Sequence, residues 1–107
     1  MPDYVSVTTT VDSREAADRI ALAVIEARVG ACVQIEGPLE SVYFWRGSLE
    51  RAVEWRCTIK TRAGLYDRLE ATVREVHPYD TPEILAHAVA AGGADYLAWI
   101  DDSTTGA

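Results

Sequence analysis

An α+β fold with the order β-α-β-β-α-β and a short closing helix is predicted by three observations in the sequence. Strand-like alternation occurs near residues 4–10, 31–45 and 53–60; two stretches of helical spacing lie between and after these; and 107 residues suit one domain with its own core. Each element follows from its residues. Tyr4 to Thr10 alternates and is rich in β-branched types, which fit a pleated surface. Asp12 or Ser13 can cap a helix, Glu15 suits its first turn, and Ala17, Ile20, Ala21, Val24 and Arg28 recur at helical spacing up to Gly30.

Ala31 to Ile35 alternates again, is interrupted at Gly37-Pro38, and resumes from Leu39 to Trp45, so one long strand with a bulge is expected. Arg46 to Leu49 has turn chemistry. Val53, Trp55, Cys57 and Ile59 then share one strand face, and Glu54, Arg56, Thr58 and Lys60 the other. A hairpin over residues 31–60 is longer than a small helical layer can cover, and its excess is expected to pair outside the subunit. Leu65, Leu69, Val73 and Val76 mark a second helix, stopped by Pro78. Glu83 to Val89 reads as a fourth strand, Gly92-Gly93 as a break, and Ala94 to Ile100 as a third helix. The domain is expected over 1–102, with a frayed tail at 103–107. This order is the ferredoxin-like split βαβ arrangement, with both main helices on one sheet face and the other left open.

Charge and composition exclude several classes. A net charge of −7 opposes nucleic acid, and Lys60 is the only lysine, so no basic patch exists for an anionic membrane surface. No stretch reaches the roughly 18 apolar residues of a membrane span, and the start has no secretory pattern, so a cytoplasmic location is the expectation. Cys32 and Cys57 lack CxxC spacing, which leaves them as reduced thiols.

The segment Val76-His77-Pro78-Tyr79-Asp80-Thr81-Pro82-Glu83-Ile84 concentrates a histidine, two prolines, a tyrosine and two acidic residues in nine positions. It is first of all a helix exit. His77 can also ligate a borderline divalent metal through neutral imidazole, with Asp80, Glu83, Cys32 or a neighbouring subunit as further donors. The Cys32 thiolate would suit Cu(I), whereas Cys57 falls among core positions. Tyr43, Trp45, Glu54 and Lys60 belong to the open sheet face, where they either join an interface or line an intersubunit cleft. Tyr79 is a further aromatic candidate for such a pocket. No phosphate-cradling loop, HExxH helix or nucleophile elbow is present, so no enzyme is read.

Taken together, Ala31-Cys32-Val33, Tyr43-x-Trp45-x-Gly47, Glu54, Lys60-Thr61, His77-Pro78-Tyr79, Pro82-Glu83-Ile84 and Asp95-Tyr96-Leu97-x-Trp99 resemble the CutA family of divalent cation tolerance proteins. The resemblance runs nearly the whole chain. It implies a homotrimer with hairpins paired between subunits, similar to the trimers of PII signalling proteins. It also implies tolerance to copper and other divalent metals, with metal ions and further copies of the chain as partners and no obligatory cofactor. Asp80 and His87-Ala88 depart from the common pattern. Thr9 and Val76 stand where copper-binding relatives are proposed to carry a cysteine and a second histidine, so His77 alone of that set is present. The alternative reading is a PII-like regulatory trimer that binds a small anion between subunits, anchored by Lys60 and an arginine.

Overall fold

The computed structural model describes residues 3–107. Its elements are β1 (Tyr4–Val11), α1 (Arg14–Glu26), β2 (Cys32–Trp45), β3 (Ser48–Arg62), a 3-10 turn (Ala63–Leu65), α2 (Tyr66–Val76), β4 (Leu85–Ala88) and α3 (Ala94–Ser103). The strands form one antiparallel sheet in the order β2-β3-β1-β4. This is the α+β arrangement expected from the sequence.

Local chemistry sets the element ends. Ser13 caps α1, its Oγ accepting from the Ala16 N–H at 3.1 Å. The helix closes at Glu26, two residues short of the expected Arg28, because Arg28 takes a left-handed φ of 58° in the turn that leaves the helix. Arg46 and Gly47 both have positive φ, 51° and 82°, the two-residue turn that matches strand twist. The turn is therefore tighter than Arg46 to Leu49, and β3 begins at Ser48. β4 is shorter than the expected 83–89. Only Leu85 to Ala88 pairs, with β1 at Thr8 to Val5, and all four residues are exposed.

The core lies between the sheet and the α1–α2 layer. Val5, Val7, Val11, Ile20, Val24, Cys57, Ile59, Leu69 and Val73 form it, and Cys57 is fully buried as expected. Each large aliphatic side chain so buried contributes about 1.5–3 kcal/mol. Gly30 is required by this packing: a Cβ there would stand 2.5 Å from Val24 Cγ1 and 2.7 Å from Ile59 Cγ2.

The bulge decides what the hairpin presents. On β2, Cys32, Gln34 and Glu36 oppose Lys60, Thr58 and Arg56, but beyond Gly37-Pro38 the register shifts and Leu39 opposes Glu54. The extra residue inverts the alternation, since a one-residue slip moves every later side chain to the other face. Odd-numbered Ser41, Tyr43 and Trp45 thereby join Glu54 and Glu50 on one face. Even-numbered Val42 and Phe44 join Leu49 and Val53 on the other, beyond the reach of the helices. These four are 51%, 74%, 59% and 57% exposed. Val53, placed by alternation with Trp55, Cys57 and Ile59, is thus uncovered in the single chain.

Ser103 completes α3, and Thr104 is fully buried, its Oγ1 accepting from Arg62 Nε at 2.8 Å and its carbonyl from Arg62 Nη2 at 3.0 Å. Ala107 packs against the core. The guanidinium thereby partners groups just past the last helical turn. Beside this contact, where Tyr4 opposes Arg62, the Tyr4 hydroxyl donates to Asp101, 3.0 and 2.9 Å from its two oxygens.

Candidate functional site

Proline stops α2 at Val76, and the following loop runs past β1 where β4 no longer pairs. His77 faces the end of β1: its Nε2 is 2.9 Å from Thr9 Oγ1, and its Nδ1 accepts the Tyr79 N–H at 3.1 Å. Because Nδ1 is the acceptor, the proton of the neutral ring sits on Nε2. Burial pushes the imidazole pKa down, opposed by the Thr10 backbone and by Asp12 and Glu54. Both ring nitrogens are engaged. A metal must break one of these contacts to bind.

Two residues on, Tyr79 turns its ring toward the sheet. Its centroid is 5.0 Å from that of His77, and its hydroxyl donates to Glu54 Oε2 at 2.7 Å. Glu54 is only 6% exposed. Burial first, then the bond to this carboxylate, hold the Tyr79 phenol far above its ordinary range. A chain of contacts Thr9–His77–Tyr79–Glu54 thus ties the β1 end, the loop and the hairpin into one unit.

Glu54 and Tyr79 lie in an open cleft of about 700 Å³ between the hairpin and the loop. Tyr43 and Trp45 wall it on the hairpin side. Glu50, Asp80 and Glu83 add carboxylates, and Arg46 is the one basic residue among the lining side chains. Arg46 is already engaged, its guanidinium 5.6 Å from the Trp45 ring centre.

The expected site residues therefore separate. Tyr43, Trp45 and Glu54 meet in the cleft. Lys60 does not: it is six residues from Glu54 along β3, roughly 20 Å, and bonds Gln34 Oε1. Cys32 pairs with Lys60, three register positions from the Thr9–Cys57 pair beside His77, roughly 10 Å along the sheet. Its neighbour is instead Tyr96 of α3, whose phenol is raised by burial and then by contact with Cys32. His77 and Cys32 do not converge. Among the described residues no three His, Cys, Asp or Glu side chains are grouped to hold a metal ion. Sequence reasoning missed the Tyr79–Glu54 bond and the parts of Arg46, Glu50 and Thr10 in the cleft. Regular alternation with Glu54 along β3 was the signal available for Glu50, and nothing local signalled that the loop returns to β3.

A family model described as CutA1 divalent ion tolerance protein matches residues 5–103. The chain belongs to the CutA1 family. It is 39% identical over 98 residues to the divalent-cation tolerance protein CutA of Thermus thermophilus, covering 92% of this chain and 95% of that one. The chloroplastic CutA 1 of Oryza sativa is 40% identical over 98 residues, and there the chain spans 55% of the relative's length. A crystal structure of CutA1 from Oryza sativa superposes with a TM-score of 0.94 at 37% identity, covering 99% of this chain and 97% of that one. CutA1 from a psychrotrophic Shewanella gives 0.94 at 36% identity, with 97% of each chain covered. CutA1 proteins carry divalent cation tolerance in their name, and the α+β subunit with its long hairpin is the CutA1 fold. Among the described residues no helix is long and apolar enough to cross a membrane.

Proposed function

We propose that the protein acts in divalent-cation tolerance as a homotrimer that binds metal ions such as copper weakly, with donors drawn from more than one subunit. The observation that carries the assembly is the overhanging hairpin, where Val42, Phe44, Leu49 and Val53 form an exposed apolar strip. Such a strip on a long, regular hairpin is covered by another chain in a stable protein. Tyr96, Trp99 and Leu85 on α3 and β4 are exposed as well. Weak binding follows from the donors. His77 has both nitrogens engaged and Cys32 is remote from it, so one subunit offers single ligands rather than a set.

We propose a role without catalysis as well, since Glu54 and Tyr79, the buried acid and phenol of the cleft, are bonded to each other. The small-anion alternative has no supporting geometry: Lys60 is outside the cleft, and the charged residues that line it are four carboxylates and one arginine. We propose a cytoplasmic location for this chain; its relatives are described as chloroplastic in Oryza sativa and periplasmic in Archaeoglobus fulgidus.

Light scattering at micromolar concentration is expected to give three times the 11.7 kDa subunit mass. Calorimetric titration with copper and zinc is expected to show weak stoichiometric heat that fades as pH falls through the imidazole range and is reduced in His77→Ala. A monomer would refute the assembly. Absent heat, or heat unchanged in His77→Ala, would refute His77 as a ligand.

A further inference from the structure

We propose that the Tyr43–Trp45–Glu54 cleft binds a small organic ammonium ion. This goes beyond metal tolerance and does not depend on it. Three observations carry the inference. The cleft, at about 700 Å³, is far larger than a bare metal ion needs and suits a small organic molecule. Two of its walls are the rings of Tyr43 and Trp45, and aromatic faces attract cations held within about 6 Å of the ring centre. Trp45 already receives one cation in the structure, the Arg46 guanidinium.

The third observation is Glu54. It is more than nine-tenths buried, and its only hydrogen bond among the described residues is from Tyr79 to Oε2. Among the described residues Oε1 receives no donor, and Glu54 lines the cleft, so this oxygen is available to a ligand N–H. Glu50, Asp80 and Glu83 at the same cleft outnumber Arg46, so the local field favours a positive guest and opposes an anion. Aromatic walls, a buried carboxylate with one oxygen unclaimed, and a negative rim are together the recognition chemistry of an alkylammonium or arylalkylammonium ion.

The test uses the intact protein, freed of metal by a chelator, and three probes of nearly one shape and different charge: benzylammonium, benzyl alcohol and benzoate. Isothermal titration is expected to show benzylammonium binding at least tenfold tighter than benzyl alcohol, with benzoate not binding. Glu54→Gln and Trp45→Leu are each expected to weaken benzylammonium about tenfold. Should Glu54→Gln not fold, Asp80→Asn at the exposed loop reads the same charge dependence, with a few-fold loss. Equal binding of the three probes, no benzylammonium binding at millimolar concentration, or unchanged binding in the folded variants would overturn the proposal. Because metal is absent throughout, failure here leaves the copper and zinc titrations unaffected.

Discussion

The Tyr79–Glu54 bond gives the sharpest expectation. In Tyr79→Phe the ring is kept and only the hydroxyl is lost, so Glu54, 6% exposed, loses the one protein donor it has among the described residues. A hydrogen bond to a charged acceptor contributes about 1.5–3 kcal/mol, and the 2.7 Å separation is in the short range of such bonds. The cleft lets water replace part of the loss, so the substitution is expected to cost about 2 kcal/mol. Urea unfolding at fixed protein concentration measures it, with the concentration held constant because assembly contributes to apparent stability. Glu54→Gln and the double variant complete a cycle whose coupling is expected at about 1–2 kcal/mol. The pH dependence supplies an independent check. The folded phenol is raised above its ordinary 10.0, so the folded state holds the proton more tightly than the unfolded chain. That stability is fully present below pH 10 and is lost as pH rises above it, and Tyr79→Phe is expected to remove this alkaline dependence. A coupling within about 0.3 kcal/mol of zero would show that the bond does not hold the loop to the hairpin.

Three further outcomes follow from the same geometry. The His77 pKa is lowered on folding, so the folded state favours the neutral ring; its contribution is present above the ordinary 6.5 and is lost as pH falls below it. Urea midpoints are expected to drop between pH 7 and pH 5, and His77→Gln to flatten that slope; an unchanged slope would contradict the assigned hydrogen bonds. Gly30→Ala would force Val24 and Ile59 apart from contacts of 2.5 and 2.7 Å, at a cost of about 1–3 kcal/mol, read as a lowered melting temperature. Phe44→Asp with Leu49→Asp places charge on the exposed strip, where each change alters subunit folding by only about 0.5 kcal/mol. Sedimentation is expected to show dissociation with helical circular dichroism retained, and a persistent trimer would mean that this strip is not the interface.

Much of the fold was legible because its causes are local. Ser13, Pro78 and the Arg46-Gly47 turn act within a few residues, and the alternation of Cys57 and Ile59 points inward whatever lies on the other side. Gly37-Pro38 announced its bulge in the same way. The contact that Thr104 makes was not legible, because its partner, Arg62, lies 42 residues away at the end of β3. The single histidine was legible as a helix exit. Its two hydrogen bonds were not, since one partner, Thr9, is 68 residues distant.

By itself, then, the sequence determined the order of elements, the inward set of apolar residues and the length of the hairpin, through patterns that read out over one turn or one pleat. Tertiary structure alone decided that Glu54, an outward residue by alternation, is buried, that Lys60 and Cys32 are apart from the cleft, and that Tyr79 closes it. The physical reason is register. The β2 bulge and the short β4 determine which side chains share a face and where the 77–84 loop can return, and both depend on pairings between strands far apart in the chain.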